Sequence, residues 1–196
     1  MNTAQPIRKT EDLNKIKNYY KVQNPNPRNQ LLIVMGLNTA LRISDILALK
    51  WESVYDFCKE EIKSHIVIIE QKTGKESIVF INQNLKIALE EYRMELVKNK
   101  KVFKKEEYLF SHKNKNIPIS RVQAFRLIKD AAENCKITGV ICCHSLRKTF
   151  GYHAWKQGVS PVLLMNIFNH SSYEITKRYL GIEQEDRDII FETIVL

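Results

Sequence analysis

Apolar residues recur at helical spacing along most of this chain, and the exception between Val54 and Ile81 is what fixes its class of fold. There Ile62, Val67, Ile68 and Ile69 form a β-branched run, and Gln71-Lys72-Thr73-Gly74-Lys75 supplies a turn. Ser77-Ile78-Val79-Phe80-Ile81 then resumes the run. This pattern predicts a small antiparallel β-sheet of two to three strands with a basic hairpin tip. A helical chain carrying one such insert is expected to be α+β, mainly helical.

The flanking segments read as helices. Residues 1–9 are polar and expected to be poorly ordered. Thr10 is a candidate N-cap for a helix to about Tyr20, ended by Asn24-Pro25-Asn26-Pro27. From Arg28 to Asn38 the residues are apolar nearly all round, which marks a buried helix. A turn at Asn38-Thr39-Ala40 leads to a helix for which Ser44 is a candidate cap. After the strands everything reads as helix. One spans 83–99, and another is capped by Ser120 with Val122, Phe125, Ile128, Ala132 and Cys135 in one stripe. A third starts near His144 and ends before Gly158, and Ser160-Pro161 opens a short one through Phe168.

The chain has 196 residues, enough for one ordinary domain, and its 44% hydrophobic content supports a core. Lys and Arg number 31 against 22 Asp and Glu, a formal charge of +9. Such an excess suits either an anionic polymer, most simply nucleic acid, or a merely soluble basic surface. Cys58, Cys135, Cys142 and Cys143 have no zinc or disulfide spacing, so buried reduced thiols are expected. The first residues carry no apolar signal core, and no run approaches the roughly 18 apolar residues of a membrane span. No membrane partner and a cytoplasmic location follow as expectations.

The stretch from Cys143 to Tyr179 concentrates chemistry-bearing side chains. His144 and Arg147 stand three residues apart and so share a helix face. A guanidinium fork fits two phosphate oxygens, an imidazole moves protons near neutral pH, and a tyrosine can bond covalently to a substrate. Together they suggest a tyrosine nucleophile brought to a phosphodiester.

Four boxes then stand in order: Thr39-Ala40-Leu41-Arg42-Ile43-Ser44-Asp45, Lys72-Thr73-Gly74-Lys75, His144-Ser145-Leu146-Arg147, and Asn169-His170 with Tyr179 nine residues later. In sequence and spacing they resemble the tyrosine recombinases of the phage integrase family, from about residue 28 to 182. Each box alone is weak, and jointly they are specific. The resemblance implies a tyrosine-recombinase-like catalytic domain that cleaves and rejoins DNA at specific sites through a 3′-phosphotyrosine intermediate, integrating, excising or inverting DNA.

By the same resemblance, Arg42 and Arg147 grip the scissile phosphate and Tyr179 attacks it. His144 shares in the proton transfer, and His170 takes the place of a histidine or tryptophan that hydrogen-bonds the phosphate. Lys72 matches the hairpin lysine that protonates the departing 5′-oxygen, although Lys75 stands close by. Asp45 stands for the family's usual glutamate as a supporting residue, and Ala40 stands where glycine is common. Neither cofactor nor metal is implied. A zinc site from Cys142, Cys143, His144, His153 and His170 is conceivable, but its spacing fits no usual pattern.

About 27 residues precede the first long helix, too few for the additional N-terminal helical domain of typical members. The chain thus resembles the minimal, catalytic-domain-only members, with residues 1–27 an N-terminal extension bearing a short helix, 28–182 the catalytic domain and 183–196 a tail helix. In the family that tail docks into a neighbouring protomer; packing on its own domain is the alternative. The implied partners are double-stranded DNA, further copies in a tetrameric synapse, and accessory DNA-bending proteins, in a bacterium, phage or mobile element. Two other functions stay open: relaxation of supercoils in the manner of a type IB topoisomerase, and DNA-binding regulation without catalysis.

Overall fold

The computed structural model describes residues 4–101, 103–112, 115–180, 188 and 191–194. Helix α1 (Thr10–Asn18) runs into a π-helical turn, Tyr19–Gln23, before the prolines end it. Thr10 is its first helical residue rather than its cap; Lys9 takes the cap position and makes no side-chain cap bond. In α2 (Pro27–Asn38), proline opens the helix and the Asn26 side chain accepts from the Asn29 N–H at 3.1 Å. Every residue from Asn29 to Leu37 is buried, as the all-round apolar pattern requires.

The chain continues through α3 (Ile43–Ala48) and α4 (Trp51–Val54). Arg42, not Ser44, holds the cap position of α3, with extended backbone and no side-chain cap bond. Strands β1 (Tyr55–Asp56) and β2 (Glu61–Ile62) make one antiparallel pair, and β3 (His65–Ile69) and β4 (Glu76–Phe80) another. The expected small sheet is therefore built as two-stranded hairpins. A third pair, β5 (Ser111–His112) and β6 (Lys115–Pro118), lies where only helix was expected. In β3–β4, Val67 faces Ile78 and His65 faces Phe80 across the ladder. Ile66 enters the core, while Val67, Ile69, Ile78 and Phe80 stand on the exposed side.

The remaining helices are α5 (Gln83–Lys98), α6 (Arg121–Asn134), α7 (Cys143–Lys156), α8 (Pro161–Ile167) and α9 (Tyr173–Leu180). The predicted caps of α6 and α8 form: Ser120 accepts from the Gln123 N–H at 3.2 Å and Ser160 from the Val162 N–H at 3.3 Å. Of the predicted stripe of α6, Ile128, Ala132 and Cys135 are buried as expected, but Val122 and Phe125 are not. Ala124, Ile128, Ala131 and Ala132 face inward and Val122 and Phe125 outward, because close packing beside α3 and α7 favours the small residues.

One large core surrounds Trp51 beneath α2, α5 and the β3–β4 hairpin, and a second joins α1, the π-turn, α6 and Leu146 of α7. A third, small core of Ala40, Leu164, Phe168 and Leu180 lies beside Phe150, Ala154, Trp155 and Val159. Helices α2 and α7 pass so closely that a Cβ on Gly36 would stand 2.6 Å from Leu146 Cδ1. Since α2 leads to Arg42 and α7 carries Arg147, that glycine lets the two arginine-bearing segments approach.

Residues 4–9, expected to be poorly ordered, lie instead as a strap against α7. Ile7 is fully buried, its N–H donates to Thr149 Oγ1 at 2.8 Å, and the Gln5 N–H donates to the Val140 carbonyl at 3.2 Å. Pro6 and Ile7 are the buried anchors of a stretch whose other residues are half-buried or exposed. The cysteines are all free; Cys135 is buried, Cys142 and Cys143 are half-buried, and Cys58 is exposed, which corrects the expectation of four buried thiols. Of the tail, 183–196, only 188 and 191–194 are among the described residues; 191–193 are helical, and Phe191 and Ile194 are exposed, while the rest of the expected tail helix lies outside the described residues. No described helix is long and apolar enough to cross a membrane.

Candidate functional site

Arg147 is the fixed point. It projects from the first half of α7 into the interior and is only 2% exposed. Its guanidinium donates to two main-chain oxygens, the Ala40 carbonyl and, at 2.7 Å, the Phe168 carbonyl, and Nε has no partner. The Phe168 ring lies 4.9 Å from the guanidinium carbon. Burial, then the charge of Arg42, pulls its pKa down to about 10, while Tyr179, Glu70 and Asp45 oppose the shift. It remains a cation at neutral pH.

Two residues with left-handed backbone aim those carbonyls. Ala40 has φ +56° and Asn169 φ +49°. An alanine in this region is strained and an asparagine less so, which gives a physical reason for glycine at the first position. The Phe168 carbonyl also accepts from Arg42 at 3.4 Å, so the two guanidinium groups share one oxygen. Gly151 of α7 makes room for this turn: a Cβ there would meet Phe168 Cζ at 2.7 Å.

Arg42 is held differently. It forms an ion pair with Glu70, whose side chain is 1% exposed at the end of β3. Glu70 also accepts from Thr73 Oγ1 at 2.8 Å, Ser77 Oγ at 2.9 Å and Asn169 Nδ2 at 2.9 Å. Burial alone would raise its pKa; these bonds and Arg42 outweigh that and bring it down to about 2. Asp45, buried one turn after Arg42, accepts from the Gln71 N–H at 3.0 Å. It thereby ties α3 to the hairpin. Lys72, next along, is exposed at the tip, and its charge is felt by both His144 and His170.

Tyr179, half-buried on α9, faces the same space. Its ring centroid is 4.5 Å from that of His170, 6.1 Å from that of His144, and 6.0 Å from the Arg147 guanidinium carbon. His170 stacks on Phe168 and bonds Thr176 Oγ1 through Nδ1 at 3.0 Å. Burial, then the charges of Arg147, Arg42 and Lys72, drives its pKa down to about 4. Desolvation by the site's walls, followed by Arg147, Lys148, Arg42 and Lys72, also lowers that of His144, whose side chain keeps an exposed surface. Both imidazoles are therefore neutral at pH 7 and can accept a proton.

Thus Arg42, Arg147, His144, His170 and Tyr179 line one space, with Lys72 above it and Asp45 at the base of the hairpin. Sequence reasoning missed Glu70, Asn169's amide, Thr73 and Ser77, and the carbonyls of Ala40 and Phe168. A lone acid ending a β-branched run was the one available signal, for Glu70. The histidine of the conceivable zinc cluster farthest from this site, His153, bonds the Ile7 carbonyl through Nε2 at 2.9 Å. Among the described residues no three His, Cys, Asp or Glu are grouped as a metal site would need.

The model of the phage integrase family matches residues 8–185. A probable integrase/recombinase, YoeC, of Bacillus subtilis (strain 168) is 39% identical over 185 residues, covering 94% of this chain and 93% of that protein. The tyrosine recombinase XerC of Thermodesulfovibrio yellowstonii is 26% identical, over 80% of this chain but only 50% of its own length. Among solved structures, XerA recombinase superposes with a TM-score of 0.78 at 18% identity, over 98% of this chain and 66% of that one. XerH bound to its palindromic difH substrate, in a post-cleavage complex, also gives 0.78, at 17% identity, over 97% of this chain and 53% of that one. The shared fold is thus that of recombinase domains, and this chain spans about half the length of the XerC and XerH relatives.

Proposed function

Because the chain belongs to the phage integrase family, we propose that it cuts and rejoins double-stranded DNA at specific sites, with Tyr179 as the nucleophile. The Tyr179 oxygen attacks the scissile phosphorus, the bond to the 5′-oxygen breaks, and a 3′-phosphotyrosine forms. The displaced 5′-hydroxyl of another strand then attacks that ester and releases the tyrosine, so the phosphodiester count is unchanged.

Each side chain has a task matched to its setting. Arg42 and Arg147 neutralise charge gathering on the non-bridging oxygens, and being held in advance they need no rearrangement as it grows. Arg147 uses two of its five N–H groups on carbonyls, which leaves donors for phosphate. His144, neutral at pH 7, accepts the phenolic proton, and His170 donates a hydrogen bond to the phosphate. Lys72, on an exposed hairpin able to follow the duplex, supplies a proton to the departing 5′-oxygen. Asp45 keeps that hairpin over the site. Loss of one arginine is expected to slow cleavage by on the order of 10²–10³.

The observation that carries this reading is that the Tyr179 ring lies 4.5 Å from the His170 ring, 6.1 Å from the His144 ring and 6.0 Å from the Arg147 guanidinium carbon, while Arg42 and Arg147 meet on one carbonyl oxygen. Self-association into a tetrameric synapse on DNA, with the tail docked in trans and accessory bending proteins, is part of the same proposal. The test is trapping on nicked suicide duplexes made from the DNA flanking the encoding gene. The wild-type chain should form a covalent adduct and Tyr179→Phe should bind without one. DNA binding with no adduct from the wild type would leave a non-catalytic regulator. Relaxation of generic plasmid without paired sites would leave a topoisomerase.

A further inference from the structure

Lys148 follows Arg147 on α7; its charge is one of those felt by His144, and the scheme above gives it no further task. It is half-buried, and its ammonium lies 5.6 Å from the Tyr179 ring centroid. The same ammonium donates at 2.7 Å to the carbonyl of Ala4, in the strap that precedes α1. Two further bonds fix the strap next to that point: Ile7 N–H to Thr149 Oγ1, and Gln5 N–H to the Val140 carbonyl. Tyr179 itself sits near the end of the described part of α9, whose buried residues are Thr176 and Leu180.

A lysine on a four-carbon stem usually wanders in solvent. Here one main-chain oxygen, belonging to a segment nearly 150 residues away in the chain, fixes its charge beside the aromatic face. We infer that Lys148 is a positioning residue for Tyr179 and that the N-terminal strap sets it, so that residues 4–9 help orient the ring. The kinetic consequence rests on Tyr179 being the nucleophile; the effect on the ring does not. A lysine that merely meets DNA phosphate would alter affinity alone.

The test uses the full chain with ring-labelled tyrosine, the Tyr179 resonance being identified by its loss in Tyr179→Phe. Lys148→Gln should shift and broaden that resonance, and Lys148→Arg should largely restore it. A chain begun at Pro6, with no residue left at position 4 to offer a carbonyl but with Ile7 kept, should reproduce the Lys148→Gln spectrum. On suicide DNA at saturation, Lys148→Gln should slow single-turnover cleavage about ten- to a hundredfold with unchanged DNA affinity, and Lys148→Arg should recover most of the rate. An unmoved Tyr179 resonance, or a loss confined to affinity, overturns the inference. A wild-type chain that forms no adduct overturns the reading of function and leaves the resonance to decide this one.

Discussion

The two arginines of the site are held by opposite means. Arg147 is enclosed, and its described hydrogen-bond partners are main-chain carbonyls. Arg42 stands at a helix start, partly open, and is paired with a carboxylate that gathers three more donors. Carbonyl dipoles do not titrate, so the Arg147 side is fixed over the whole working pH range. The Arg42 side depends on one ionised group and can be weakened by acid or by a single substitution. A site that must hold still around phosphorus, while a hairpin above it follows DNA, has reason to be rigid on one side and adjustable on the other.

The largest test of that contrast is Arg147→Met. It should strand the Ala40 carbonyl, leave the Phe168 carbonyl only its long bond from Arg42, and lower stability by about 2–4 kcal/mol in urea unfolding. A neutral outcome would mean the carbonyls are not a structural clasp. Glu70→Gln should cost less, about 1.5–3 kcal/mol, because Arg42 can turn to solvent while Arg147 stays in place. Its cleavage rate should fall more than its DNA affinity.

Acid provides the next comparison. His170 and Glu70 both have folded pKa values below their ordinary ones, at about 4 and about 2. Their contributions are therefore complete above the ordinary histidine range and are lost as pH falls, first towards 4 and then towards 2. Thermal melts across pH should show both losses in the wild type, and Glu70→Gln should lack the second. Smallest of all, Ala40→Gly should relieve left-handed strain and leave stability unchanged or raised by up to about 1 kcal/mol, with Arg147 still bonded. A marked loss would show that the alanine methyl, buried against Leu164 and Phe168, matters more than its backbone angle.

Much of this arrangement was legible in the sequence because its chemistry is carried by side chains at short, fixed spacing. His144 and Arg147 had to share a helix face, and the Lys72-Thr73-Gly74-Lys75 turn had to cap a hairpin. What was hidden lies in long-range contacts. Glu70 is neutralised by Arg42 and Asn169, 28 residues before it and 99 after it. The β3–β4 ladder is apolar on both faces, so alternation could not say which side its last residue would meet. In α6, Ile128, Ala132 and Cys135 are buried as the spacing predicts, but Ala124 and Ala131 take the inward places expected of Val122 and Phe125, because close helix packing selects the alanines. The strap is hidden in the sequence because only two neighbouring residues, Pro6 and Ile7, anchor it, too few to show a period.

The oxygen of residue 168 accepts from both guanidinium groups, so the rotation of one amide plane governs two cations at once. If that plane turns, both lose this partner together, Arg42 keeping Glu70 and Arg147 keeping the Ala40 carbonyl. The site is thereby given a common hinge pin: one peptide rotation loosens both cations at once, whichever tether each retains.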